Sequence, residues 1–321
     1  MSIPARNLHS ILQIANPKSC AAGREFTTAL RYFLLSLIIC GICLLTPFQT
    51  LGANSTQGLK LIASVAPQEY LLKKLKTPES SVTVVIRPGQ SPTTWDPSPR
   101  QMQQIVSADI MFPIGVPFEE VWLPRLRKRA PNLAITDTLA GIEHIGLENH
   151  YHGHGDQHES IDPHIWLDPV RCISMAENMA TALQQIDPEQ HEFYAARLEH
   201  LRGELQQLHR EIEGILAPLE QRTFMVFHPS WGYFAARYNL QQIALEKNGK
   251  EPSGAHLAEL IEKAQQQQIK VIFVQQQFST KAAHAIATQT GARIEILDPL
   301  APNLAESLRH TAQTLARSLS P

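Results

Sequence analysis

The sequence predicts an α/β protein: two Rossmann-like lobes with parallel sheets, joined by one long rigid helix. Three observations lead there. Short β-branched runs alternate with amphipathic segments from residue 58 onward, that alternation occurs once in each half of the chain, and an unbroken heptad-like stretch lies between the halves. With 321 residues, 43% of them hydrophobic and 18% charged, the chain is long enough for a core in each lobe and has a globular composition.

In the first half, strands are expected at "KLIASVA" (60–66), "SVTVVI" (81–86), "DIMFPI" (109–114) and "LAIT" (133–136). Helices fall between them, around Gln68 to Leu75, Arg100 to Ser107 and Glu119 to Arg129. The second half repeats the theme with "TFMVF" (223–227), "QQIALE" (241–246), "KVIFV" (270–274) and "RIEIL" (293–297).

Between them, Tyr194, Leu198, Leu201, Leu205, Leu208, Ile212 and Ile215 recur at spacings of four and three, and Pro188 suits a first helical turn. The spacing predicts one helix over 188–216, about 40 Å long. With α/β lobes on both sides to cover, its apolar stripe reads as an intramolecular packing face rather than a coiled-coil dimer seam. Lobes on such a strut close on a ligand by small tilts. The expected organisation is a signal peptide at 1–53, an N-terminal lobe at 54–186, the linking helix at 187–218 and a C-terminal lobe at 219–321.

The leader reading rests on "RYFLLSLIICGICLLTPFQTLGANS", where Arg31 precedes an apolar run from Tyr32 to Leu45 and Gly52 and Ala53 follow at a cleavage point. About 15 apolar residues are short for a membrane span and right for a secretory core, so export to a periplasmic or extracytoplasmic place is expected. Losing four cations and one carboxylate with the leader moves the formal charge from −2 to −5. No basic excess then exists for nucleic acid, and Cys172 remains alone, which excludes an internal disulfide and a cysteine-built metal site.

Ligands of open α/β sheets bind beyond the carboxyl ends of the strands. His228 follows "TFMVF", Asp298 follows "RIEIL", the turn-rich "RPGQSPTTWDP" follows "SVTVVI", and the loop after "LAIT" delivers His164. Two imidazoles and a carboxylate suit a borderline cation such as Zn²⁺. Each also has a plain structural reading: His164 as a surface loop histidine, His228 as a helix-start residue before Pro229, Asp298 as a helix cap.

"DPHIWLDP" followed by a helix, "HPSWGYFAARYNL" after a strand and "GARIEILDPL" near the C-terminus resemble the metal-ligand segments of the zinc and manganese receptors of ABC importers, the cluster A-I solute-binding proteins. "SADIMFPIGVPFEEVW" and "GKEPSGAHLAELIEKAQQQQIKVIFVQQQFSTKAA" resemble further segments, and the likeness spans roughly residues 58 to 300. It implies that His164, His228 and Asp298 bind the metal, that a monomeric receptor delivers it to a membrane permease, and that the histidine at 228 marks the zinc rather than the manganese type. Softer imidazole donors agree with Zn²⁺ over Mn²⁺.

One segment departs from the pattern. "SPTTWDPSP" puts Thr93 where the family has its first histidine, with Trp95 and Asp96 at the aromatic and acidic places. The remaining position is then open to water, to both oxygens of Asp298, to Asp96, or to a histidine of the loop 144–158, which carries His144, His150, His152, His154 and His158. That loop reads as a weak metal collector or as a solvated insertion. Two rival functions remain. Three protein ligands plus water is the pattern of a zinc hydrolase, though no His-Glu-x-x-His helix and no clearly placed general base accompany it; a metal-independent adhesin or solute receptor is the other.

Overall fold

The computed structural model describes residues 58–87, 89–92, 94–146, 161–246 and 249–320. The expected signal peptide, Thr93, His150, His152, His154 and His158 lie outside the described residues. Every expected strand is present, and the pairings among these strands are all parallel. In the first half, β1 (Lys60–Val65), α1 (Ala66–Leu75), β2 (Ser81–Ile86), α2 (Pro99–Val106), β3 (Ile110–Phe112), α3 (Pro117–Arg129) and β4 (Ala134–Ile135) build a sheet of order β2-β1-β3-β4. In the second half, β5 (Thr223–Val226), α6 (Gly232–Arg237), β6 (Gln241–Ala244), α7 (Gly254–Gln266), β7 (Val271–Val274), α8 (Lys281–Thr290) and β8 (Arg293–Ile296) build the sheet β6-β5-β7-β8. Most strands are shorter than their apolar runs, because the run continues into the loop where pairing has ended.

Two long helices separate the sheets, α4 (Pro169–Ile186) and α5 (His191–Leu216), and α9 (Leu304–Leu319) ends the described chain. Asp168 caps α4 by accepting the N–H of Val170 and of Arg171, with Pro169 in the first turn where its missing N–H costs nothing. The linking helix differs at its start. Pro188–Gln190 forms a 3-10 turn and the α-helix begins at His191, with the Tyr194 hydroxyl donating to Asp187 across the turn at 2.9 Å. Tyr194, Leu201, Leu205, Leu208 and Ile212 are buried and Leu198 and Ile215 partly so, which places the expected stripe against protein.

From residue 58 the chain forms one compact unit. A continuous apolar core contains Phe112 of the first sheet, Trp166, Leu205 of the linking helix, Phe224 of the second sheet and Leu315 of α9. The far face of the second sheet has its own cluster under α7 and α8, with Met225, Leu260, Ile272 and Ile286. Polar contacts fasten the halves as well. Buried Asp168 receives Arg171 at 2.7 Å and a two-pronged Arg237 of α6 at 2.8 and 3.0 Å, and this hydrogen bond holds the Arg237 guanidinium above its ordinary basicity. Trp166 Nε1 donates to the Pro299 carbonyl at 2.7 Å. Arg309 of α9 grips Glu211 of α5, and Lys74 of α1 reaches Glu204 of α5. Cys172 is a buried free thiol. Among the described residues no helix is long and apolar enough to cross a membrane.

Candidate metal centre

The carboxyl ends of the strands border a cavity of about 880 Å³. The first half contributes Ser91 and Pro92 from the loop after β2, Gly115, Val116, Pro117, Glu119 and Glu120 from the loop and helix after β3, and His144, Pro163 and His164 from the segment after β4. The second half contributes His228 and Ser230 after β5, Gln277 and Phe278 after β7, and Pro299 and Leu300 after β8. The sequence points to four of these strand ends, those of β2, β4, β5 and β8; the contributions after β3 and β7 are added by the structure.

His228 stands two residues beyond β5, at the point where the order of the second sheet reverses. Its Nδ1 lies 2.7 Å from Oε1 of the nearly buried Glu246. The buried Gln275 amide, just past β7, accepts the His228 N–H at 3.3 Å and donates to its carbonyl at 2.8 Å. Phe278 stacks on the ring at 5.0 Å. Backbone and ring are thus both fixed.

His164 opens a 3-10 turn, Ile165–Leu167, whose apolar side chains are all buried. Asp162 Oδ1 accepts the His164 N–H at 2.9 Å and lies 2.7 Å from its Nδ1. Asp162 is itself held by the other half of the chain: Tyr233 donates its hydroxyl to the Asp162 carbonyl at 3.0 Å and accepts the Ile145 N–H at 3.2 Å. Gly232 leaves room for this approach, since a Cβ there would sit 2.6 Å from Asp162 Oδ2. The two rings lie 5.2 Å apart, inclined at 73°. With each Nδ1 committed to a carboxylate, Nε2 is the ring nitrogen left for a ligand on both.

The structure therefore brings His164 and His228 together. Asp298 is half-buried two residues beyond β8; its Oδ1 accepts the Leu300 N–H at 2.9 Å and the residue lines a neighbouring cavity of about 710 Å³ under α9. Asp96 is exposed and is not among the residues lining the larger cavity, while Trp95 packs edge-on against Phe118 at 4.8 Å. Among the described residues, no three His, Cys, Asp or Glu side chains already stand as a metal cage.

Sequence reasoning misses two carboxylates, Asp162 and Glu246, and leaves a third, Glu119, without a place. Asp162 carries a local signal, an Asx-turn aspartate two residues before the histidine it holds. Glu246 had been placed inside a strand that ends at Ala244, which hid it from the strand-end rule. Glu119 is buried in the cavity wall, where it accepts the N–H of Ile114 at 3.0 and 3.1 Å and of Gly115 at 2.7 Å. Burial raises its carboxyl above the ordinary value against the pull of the Ser64 side chain and those N–H groups.

Comparison with known proteins gives a consistent result. A family model described as zinc-uptake complex component A, periplasmic (ZnuA), matches residues 61–318. The high-affinity zinc uptake system protein ZnuA of Bacillus subtilis is 28% identical over 268 residues, covering 78% of this chain and 82% of that protein. The zinc-binding lipoprotein AdcA of Streptococcus pneumoniae is 27% identical over 280 residues, 83% of this chain but 55% of AdcA, so the chain spans about half the length of that relative. A crystal structure of ZnuA superposes with a TM-score of 0.76 at 38% identity, covering 82% of this chain and all of that one, and a zinc-bound ZnuA deletion mutant with a TM-score of 0.76 at 36%, covering 82% and 99%.

Proposed function

We propose, on the premise that the chain belongs to the periplasmic zinc-uptake component A family, that it is an extracytoplasmic receptor, not an enzyme, that captures Zn²⁺ in the cavity between its two sheets and passes it to an ABC permease. The observation that carries this reading is the pair His164 and His228. Each ring is oriented by a carboxylate on Nδ1, the outer-shell arrangement that metal-bound histidines use to fix tautomer and direction. A tetrahedral ion about 2.0–2.1 Å from each Nε2 places two ring centres roughly 5 Å apart, and these stand at 5.2 Å. Asp298 at the end of β8 is the carboxylate assigned to the same ion, reached once its bond to the Leu300 N–H is exchanged for the metal.

Imidazole donors favour Zn²⁺ over the harder Mn²⁺. The shared core and the Asp168–Arg237 tie support capture by small adjustments of a rigid frame rather than by a wide hinge. The expected export of the chain and its delivery to a permease follow from family membership. The zinc relatives named above carry the choice of metal.

The test is a chelator-competition titration of metal-stripped protein with Zn²⁺ and Mn²⁺. Zinc binds tightly at one equivalent, manganese much less so, and His228→Ala lowers zinc affinity by more than about 100-fold, beyond what the loss of an outer-shell partner alone costs. Wild-type protein that takes up no zinc, or an unchanged affinity in the variant, overturns the assignment.

A further inference from the structure

We propose that His144 is a further zinc ligand, a third imidazole that closes over an ion held by His164 and His228. The proposal rests on the zinc-receptor reading above and names a residue of that same site. His144 is exposed, yet it lines the same cavity as the other two histidines. Its backbone is pinned on both sides. The Glu143 carbonyl accepts Arg171 Nε at 3.2 Å, the Ile145 N–H donates to the Tyr233 hydroxyl at 3.2 Å, and the Ile145 carbonyl accepts the Asp162 N–H at 3.0 Å.

Gly146 and Ile161 form an antiparallel bridge, and that register sets residue 145 opposite Asp162 and His144 opposite Pro163, one position before His164. Pro163 faces His144 from the returning segment and His164 is the next residue, so the two histidines border the same cavity from neighbouring segments. Pro163 has no N–H to donate, and the ladder stops there. The result is a free imidazole on a fixed base beside a fixed imidazole.

Zinc seeks four donors, and two oriented imidazoles do not fill its shell. Asp298, assigned to the same ion above, brings the donors to three, and Thr93, a poor zinc donor, occupies the place the sequence pattern reserves for a histidine, so one position stays open. Among the described residues lining the cavity, His144 is the one imidazole besides His164 and His228, and a side-chain rotation is what would bring it to the ion. The segment that carries it also carries the hydrogen bonds to Asp162 and Tyr233, so binding at His144 would draw on the same network that orients His164.

Zinc K-edge X-ray absorption on the full chain loaded with one equivalent of Zn²⁺, together with chelator-competition affinities, tests this. Wild type shows three imidazoles, His144→Ala and His144→Gln show two with zinc affinity lowered about 10- to 100-fold, and the melting of the metal-free variants stays at the wild-type value. A variant in which His150, His152, His154 and His158 are all replaced by alanine retains three. An unchanged imidazole count and affinity in His144→Ala, with zinc still lost in His228→Ala, overturns the role of His144 and leaves the receptor reading standing. Loss of the third imidazole in the four-histidine variant instead overturns it in favour of that segment. A wild-type protein that binds no zinc overturns both readings.

Discussion

His228 takes its support from the half of the chain to which it belongs: Glu246 on its Nδ1, Gln275 along its backbone and Phe278 on its ring face all follow strands of the second sheet. His164 is supported from both halves. Its ring partner Asp162 is a near neighbour in sequence, but Asp162 is tied down by Tyr233 and fits only because residue 232 is a glycine. A displacement of one half against the other therefore disturbs His164 first and leaves His228 set. The two walls of the cavity differ in what they depend on: a rigid sheet edge on one side, the contact between the halves on the other.

The contact itself is the first place to break. Asp168 is fully buried and neutralises both Arg171 and Arg237 while capping α4. Asp168→Ala leaves two guanidinium groups without their buried carboxylate, which costs about 3–5 kcal/mol by analogy with other severed buried pairs. Urea unfolding of metal-free protein measures it. A loss under about 1 kcal/mol would mean that solvent or another group compensates and that the halves are fastened mainly by their shared apolar core.

The contrast between the walls is sharpened by two substitutions that leave both imidazoles in place. Glu246→Gln removes the carboxylate behind His228 and lowers zinc affinity about 10- to 100-fold. Gly232→Ala acts on His164 from the opposite half: its Cβ would lie 2.6 Å from Asp162 Oδ2, and the carboxylate must turn, taking the Nδ1 partner of His164 with it. The expected loss is about tenfold, at the lower end of outer-shell effects because only one oxygen is displaced. Gly232→Ala melts near the wild-type temperature, since the atom pushed by the new methyl is the end of a side chain. Unchanged zinc affinity in Gly232→Ala would show that His164 keeps its orientation without help from the second half.

The parts of this arrangement that were legible in sequence are those written in local patterns. Parallel strands announce themselves as β-branched runs, the linking helix as a period of three and four, and His164 and His228 as residues just past strand ends. What supports them was not legible, for a physical reason. Asp168 and Arg237 are 69 positions apart, and Tyr233 meets Asp162 across 71; nothing in a short window distinguishes such residues from any other surface charge or tyrosine. Glu246 was obscured differently. The apolar run "QQIALE" has no internal mark showing that pairing stops at Ala244, so the residue that should have been read as a strand end was absorbed into the strand. Asp298 shows the converse limit: its position past β8 was correctly anticipated, but its bond to the Leu300 N–H belongs to the folded backbone and has no sequence signature.

A third buried acid on the cavity offers the finest probe of the difference between the walls. Asp162 and Glu246 each face an imidazole, whereas Glu119 faces the Ser64 hydroxyl and backbone, holding the N–H groups of Ile114 and Gly115 where β3 ends and Gly115 turns with φ near +79°. Burial outweighs those bonds and lifts its carboxyl above the ordinary 4.5. The folded state then holds the Glu119 proton more tightly than the unfolded state does. Its contribution to stability is fully present below the unfolded value and is lost as pH rises from about 4.5 through the folded value. Glutamine does not titrate, so the stability of Glu119→Gln relative to wild type should climb over the same interval, whatever offset the amide introduces. Urea midpoints of the two metal-free proteins, taken in steps from pH 4.5 to 7, would converge or cross in the direction of the variant. Parallel curves would mean that the Ser64 side chain and the Ile114 and Gly115 N–H groups together fully offset the cost of burial, and that the first wall is as well satisfied electrostatically as the second.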